Sequence, residues 1–201
     1  MTTSKLDIKY ISSNFLNIEA LCVKSGEVAF IRGESGSGKS LLLRAIADID
    51  LNKAEILLDR QVREDISAPQ WRQQVALLPA QAQWWGEVIG DSLSCSPDEL
   101  KKLSLNKDIL AQPISSISSG ENQRLSLLRL LQNKPKVLLL DEPTANLDQI
   151  SQLNVERYII AYITKNKASA IWVSHDAEQI KRVSQQLICK TYIMKHGELD
   201  E

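Results

Sequence analysis

Neither sign of charge dominates this chain of 201 residues, in which 24 Lys and Arg stand against 25 Asp and Glu. No net positive field exists to hold a polyanion, so composition gives no basis for a nucleic-acid partner or an acidic membrane surface, and no nucleic-acid binding is expected. Cysteine is scarce. Cys22, Cys95 and Cys189 are odd in number, far apart and without metal-ligand spacing. That argues against a disulfide framework or a zinc site and fits a reducing cytoplasm. Long apolar runs are missing too. The longest, such as Val137 to Leu140, fall far short of the ~20 residues that span a bilayer, and the N-terminus lacks the apolar region of a signal peptide. Any membrane role is therefore expected to come through a partner. What is present is apolar material for one substantial core, 43% of the residues, in a length that suits a single domain, 1–201.

Alternating segments at Leu6 to Ile11 and Ile18 to Val23 read as half-buried strands of an N-terminal sheet. After Gly26, the apolar strand Glu27 to Ile31 runs into a Gly/Ser loop and then a helical stretch, Leu41 to Ala47. Ser96, Pro97 and Glu99 supply an N-cap, a proline at the first helical position and the acid of a capping box, so a helical middle segment begins there. The last third alternates strand Val137 to Leu140, helix Ile150 to Ile163, strand Ala170 to Val173 and helix Ala177 to Val183. Such alternation implies βαβ units and a parallel core.

Gly33-Glu34-Ser35-Gly36-Ser37-Gly38-Lys39-Ser40 matches G-x-x-x-x-G-K-[ST] and lies between a strand and a helix, as a phosphate-binding loop must. Glycines let several backbone N–H groups face one phosphate, and the helix N-terminus adds partial positive charge. Lys39 is expected to bridge the β- and γ-phosphates, and the Ser40 hydroxyl suits Mg²⁺. A second site is the buried run Val137 to Leu140, which ends on Asp141 and Glu142 where parallel sheets place ligands. Asp141 suits Mg²⁺, directly or through water. Glu142 is placed to polarise the water that attacks the γ-phosphate.

Asp141-Glu142-Pro143-Thr144-Ala145-Asn146-Leu147-Asp148 resembles the Walker B and D-loop sequence of ABC ATPases. Upstream, Ile117-Ser118-Ser119-Gly120-Glu121 resembles their signature motif, and Ser174-His175-Asp176 resembles their switch region. In isolation the Ser118 segment would read as an ordinary Ser-capped helix; its place shortly before the Asp-Glu strand makes it a second anion site. The resemblance covers nearly the whole chain and keeps the family's motif order. It implies an α/β fold: a P-loop NTPase (RecA-like) core with an N-terminal antiparallel β subdomain and a small helical signature subdomain, roughly 81–133. It implies ATP and Mg²⁺ as ligands, with nucleotide held by residues 33–41, Leu41 included, and on the opposing subunit's ATP by Ser118, Gly120 and Glu121. His175 aligns with the histidine that contacts the γ-phosphate. His196, in a Lys-His-Gly turn, reads as a surface residue.

The function implied is an ATP-hydrolysing subunit that powers a separate integral membrane transporter through nucleotide-dependent closure of a homodimer or heterodimer of ABC subunits. Its location would be cytoplasmic, peripheral on the cytoplasmic face of the membrane. The alternative is a soluble ABC ATPase serving as an assembly scaffold, as in iron–sulfur cluster biogenesis. Three departures from the family pattern stand out. Ser119 replaces the first glycine of the signature. Ala80, in register with Trp84-Trp85-Gly86, replaces the Q-loop glutamine, with Gln81 and Gln83 nearby but out of register. No tyrosine sits clearly at the adenine-stacking position, where Phe15 and Tyr10 are candidates that could equally pack in the core. Of Trp84 and Trp85, adjacent residues that cannot both point inward in an extended segment, one is expected to be exposed. In the family that region borders a groove for a short helix of the membrane subunit.

Overall fold

The computed structural model describes residues 4–81 and 83–200. The chain opens with β1 (Ser4–Ser12), β2 (Asn17–Ile18), β3 (Leu21–Lys24) and β4 (Glu27–Arg32), followed by helix α1 (Lys39–Ile46). Next come β5 (Lys53–Leu58), β6 (Gln61–Val62), α2 (Ala68–Gln74) and β7 (Val75–Leu78). Helices α3 (Pro97–Lys102) and α4 (Ser119–Gln132) lead to β8 (Val137–Asp141), α5 (Gln149–Asn166) and β9 (Ser169–Val173). The chain closes with α6 (Ala177–Ser184), β10 (Ile188–Lys195) and β11 (Glu198–Asp200).

Two sheets result. An antiparallel one runs β2-β1-β5-β6, with β3 also paired to β1; the other runs β11-β10-β4-β9-β8-β7 and is parallel except for the β10–β11 pair. Strands β8 and β9 are buried along their whole length, as expected of parallel strands covered on both faces. Alternate residues feed two cores. Ala29, Ile31, Val137, Leu139, Ile171 and Val173 pack toward α1 and the antiparallel sheet. Phe30, Leu138, Leu140 and Trp172 pack toward the residues of α4, α5 and α6. Each such Leu, Ile or Val stabilises the fold by ~1.5–3 kcal/mol relative to its exposed state.

One expected element is divided. The segment from Ile18 to Val23 is not one strand but β2 and β3, which pair with different parts of β1: Ile11 with Ile18, and Ile8 with Leu21. Ile18 and Leu21 are three residues apart, so strict alternation cannot bury both. The exposed break at Glu19 and Ala20 resets the face and keeps Ile18, Leu21 and Val23 in the core.

Between β7 and β8 the described residues form only helices and short helical turns, apart from one bridge between Val88 and Pro113. Ser96 and Glu99 make the expected capping box, with the Ser96 N–H donating to the Glu99 carboxylate at 2.8 Å and the Glu99 N–H to Ser96 Oγ at 3.3 Å. Among the described residues no helix is long and apolar enough to cross a membrane.

Candidate nucleotide site

The sheet order brings three loops together at the C-terminal ends of neighbouring strands. β4 ends in the loop before α1, β9 ends at His175, and β8 ends at Asp141 and Glu142. Gly33 has φ 149° and Gly38, capping α1, has φ 108°. A side chain on Gly33 would stand 2.3 Å from the Met194 carbonyl oxygen, so this turn requires glycine as well as favouring it. Lys39 is buried, 7% exposed, and its ammonium donates to the carbonyls of Gly33 (2.8 Å) and Glu34 (2.7 Å). The cation therefore lies over the loop it would serve. Ser37 Oγ is buried without a hydrogen-bond partner among the described residues, an orphan that a phosphate oxygen would satisfy. Glu34, Ser35, Gly36, Ser40 and Leu41 are exposed around this cradle.

Asp141 is 8% exposed. Burial pushes its carboxyl above the usual carboxylate range, opposed by a hydrogen bond with Ser40 and by the charge of Lys39. Ser40 and Asp141, the two expected Mg²⁺ ligands, are thus in contact, and their hard oxygen donors fit that ion. Glu142 adopts φ 48°, a left-handed backbone unusual for a non-glycine residue. Its N–H donates to the Val173 carbonyl (3.2 Å) and its own carbonyl accepts from the Ala145 N–H (3.0 Å). This kink turns the carboxylate toward His175, whose Nε2 lies 3.2 Å from Glu142 Oε1, both side chains being partly open to solvent.

A buried network that sequence reasoning did not find ties these two loops together. Gln179, on α6, donates through Nε2 to Thr144 Oγ1 (2.8 Å) and to Glu156 Oε1 (3.0 Å). Arg182 holds the same Glu156 carboxylate at 2.9 Å and 2.7 Å. Thr144 follows Glu142 by two residues, and α6 begins directly after His175 and its capping Asp176. Nothing in the spacing of Thr144, Glu156 and Gln179 announces that they meet. Replacing Gln179 with Met leaves a carboxylate and a hydroxyl short of a donor in the interior, which costs ~1–3 kcal/mol, and frees the loop that positions Glu142. We expect kcat for ATP hydrolysis to fall about tenfold while ATP affinity stays within twofold. Thr144→Ser should be close to normal and Thr144→Val should resemble Gln179→Met. Equal losses of affinity and kcat would reduce the network to a general stabiliser.

Ser118, Gly120 and Glu121 lie at the N-terminus of α4. Ser118 Oγ and N–H both bond the Glu121 carboxylate (2.7 and 2.9 Å), and Ser118 Oγ accepts from the Glu121 N–H (3.3 Å). This is the ordinary capping box within the chain, but Ser118 and Ser119 remain exposed. Gly120 lies against the D-loop, where an added Cβ would come 3.1 Å from Leu147. The structure does not bury either aromatic candidate for the adenine: Phe15 is 72% and Tyr10 45% exposed, so core packing is ruled out for both. Each lies on the outer surface because the buried positions of β1 and the following turn are taken by Ile11 and Leu16. Leu16 reaches the surroundings of Gly38, and the Phe15 backbone borders Gly197.

Ala80, Gln81 and Gln83 are exposed beyond β7. Trp84 is half-buried against the α4–α5 core and Trp85 is 74% exposed, as expected of an adjacent pair. Arg129 of α4 grips both, its guanidinium 4.2 Å from the Trp84 ring centre and 5.5 Å from that of Trp85. It also donates to the Gln83 carbonyl (2.8 Å), while the Trp84 indole N–H donates to Asn122 Oδ1 (2.7 Å). The loop after β7 is therefore fastened to the helix that begins at Ser118, by residues with no motif to reveal them.

Comparison with known proteins places these features in a family. Residues 16–145 match the family model described as ABC transporter. The chain is 31% identical to the probable iron export ATP-binding protein FetA of Escherichia coli (strain K12), over 94% of this chain and 89% of that one. It is 28% identical to the tungstate uptake system ATP-binding protein TupC of Peptoclostridium acidaminophilum, over 94% and 92%. Its fold matches cbiO1 from Clostridium perfringens, part of the ABC transporter complex cbiONQ, with a TM-score of 0.76 over 99% of this chain and 88% of that chain at 21% identity.

Proposed function

This chain belongs to the ABC transporter family and is an ATP-binding ATPase, and from that premise we propose that it powers a separate membrane-embedded subunit by closing on a second ABC subunit when ATP is bound. The observation that carries this reading is the 3.2 Å pair of Glu142 and His175 beside buried Lys39 and the hydrogen-bonded Ser40 and Asp141. In it, the N–H groups of residues 33–41 and the start of α1 receive the β- and γ-phosphates, and Lys39 exchanges two carbonyls for phosphate oxygens. Ser40 and Asp141 would hold Mg²⁺, which when bound neutralises phosphate charge. Glu142 accepts a proton from the attacking water while His175 orients water and γ-phosphate, yielding ADP and phosphate.

Exposed Ser118, with half-buried Gly120 and Glu121 beside it, completes the partner's site, in a homodimer or heterodimer. Phe15, open to solvent and next in the chain to Leu16, which packs at Gly38, is the better placed of the two aromatics to stack on adenine. We assign 1–201 to one ATPase domain, with 81–133 as its signature subdomain, acting at the cytoplasmic face of the membrane. Exposed Trp85 and a neighbouring groove of about 350 Å³, lined by Ile49, Leu77, Arg129 and Leu130, suit a short amphipathic helix of the membrane subunit.

Affinity purification from detergent-solubilised membranes tests the assignment. An integral membrane protein should co-purify with the wild-type chain and be depleted at least tenfold by Trp85→Asp, with ATP affinity measured alongside as a check on folding. Recovery of only a soluble partner would instead place the chain among scaffold ATPases such as those of iron–sulfur cluster assembly.

A further inference from the structure

Away from the nucleotide site, α3, the last turns of α4 and the outer face of α5 enclose a half-open cavity of about 540 Å³, within the range that holds small organic ligands. Its charge is at odds with that of the chain. Lys102, Lys134, Arg157 and Lys165 surround it against a single carboxylate, Glu99, although acids slightly outnumber bases in the whole sequence. None of the four cations forms an ion pair among the described residues.

An ordinary solvated helix face places acids three or four residues from its cations, as Asp98 and Glu99 stand to Lys102 on α3, but Arg157 and Lys165 of α5 have none on their exposed face. On α5 the only acid is Glu156, which is buried and held by Arg182 and Gln179. Glu99 is also engaged, accepting hydrogen bonds from the Ser96 backbone and hydroxyl and from Tyr158, which hold its carboxyl below the usual range. The residues lining the cavity thus carry an excess of three positive charges, with Glu99 acting on Lys102 alone among them.

Between the cations the lining is largely apolar, and the amides of Gln132, Asn154 and Asn166 already donate to Ser94, Ser104 and Tyr162. Leu128 and Leu131 project from α4, and Tyr158 and Tyr162 from α5. Both phenols already have acceptors, Glu99 for Tyr158 and the Pro135 carbonyl at 2.7 Å for Tyr162. Their ring surfaces remain as cavity lining, and burial pushes both hydroxyls up to about 12, so they stay neutral. An inorganic anion would find charge here but would leave the apolar lining unused. A neutral apolar molecule would leave the cations unused.

We propose that the cavity between α3, α4 and α5 is a binding site for a small amphipathic organic anion, whose aromatic or aliphatic body packs on Tyr158, Tyr162, Leu128 and Leu131 while its carboxylate, sulfonate or phosphate meets Lys102, Lys134, Arg157 and Lys165. Its walls include the far ends of the helices that begin at Ser118 and at the D-loop Asp148. The site is separate from the ATP site and does not depend on the transport assignment.

The probe is 8-anilino-1-naphthalenesulfonate, titrated by fluorescence into the purified chain with and without saturating Mg-ATP. Saturation at one dye per chain is expected, with a dissociation constant of about tens of micromolar that Mg-ATP does not change. Lys102→Glu combined with Arg157→Glu should weaken binding at least tenfold, and Ala161→Trp, on the exposed α5 face that lines the cavity, should abolish it by filling the space. Unchanged ATP affinity and melting temperature identify variants that have folded, so that at least one of the two reports on the site. Displacement of the dye by Mg-ATP, absence of saturable binding, or undiminished binding in the folded variants would each overturn the proposal. So would displacement by inorganic phosphate as effective as that by decanoate, since it would reduce the cavity to a simple anion site.

Discussion

Glu142→Gln is expected to leave ATP affinity within about twofold of wild type while lowering steady-state hydrolysis by roughly a hundred- to ten-thousand-fold, the range for loss of a positioned general base. The amide matches the carboxylate in shape but cannot take up the proton of the attacking water. The two backbone hydrogen bonds that hold the left-handed turn, from Glu142 to Val173 and from Ala145 to Glu142, do not involve the altered atoms. The variant should therefore fold, bind and stall. If closure requires ATP in both composite sites, it should also accumulate as a dimer in Mg-ATP, visible by sedimentation, while the wild type returns to monomer as nucleotide is consumed. Single-turnover hydrolysis within a few-fold of wild type would assign the base elsewhere. His175 would then be the first residue to examine, because its Nε2 is the group 3.2 Å from Glu142.

Lys39→Ala should have the opposite signature, a loss of binding itself. Removing one partner of a buried, hydrogen-bonded charge contact costs ~2–5 kcal/mol, or about thirty- to several-thousand-fold in Kd for ATP by isothermal titration. The structure adds a second consequence. Lys39 also donates to the carbonyls of Gly33 and Glu34, so its removal deprives the loop of its own tie. The melting temperature without nucleotide should fall modestly, and the stabilisation that ATP gives the wild type should be largely lost. Unchanged ATP affinity would be incompatible with a phosphate-binding role for residues 33–41.

Several features are legible in the sequence because they rest on local chemistry. The glycine-rich loop follows from the strand before it, the helix after it and the residues that only such a turn needs. The capping box of Ser96 and Glu99 is complete within four residues. Strands β8 and β9 announce their burial on both faces by having no polar side until their ends. The break at Glu19 and Ala20 is not legible from alternation, because it follows from the register against β1, which depends on a partner strand. Phe15 and Tyr10 left burial open for a related reason: an aromatic side chain serves a core or a surface site equally well until its neighbours are known.

Order along the chain thus determined the family, the P-loop, the paired acids after β8 and the candidate switch histidine, since each depends on residue types at short spacing beside a strand end. Tertiary structure alone decided which residues stand behind them. Gln179 reaches Thr144 across 35 positions and Glu156 across 23, and Arg129 joins Trp84 and Trp85 to the signature helix. Four cations from α3, α5 and the turn after α4 gather around one cavity walled in part by Leu128, Leu131, Tyr158 and Tyr162. Contacts of this kind are made by packing two faces of a sheet against helices distant in sequence, and no periodicity within one segment encodes which side chains will then meet.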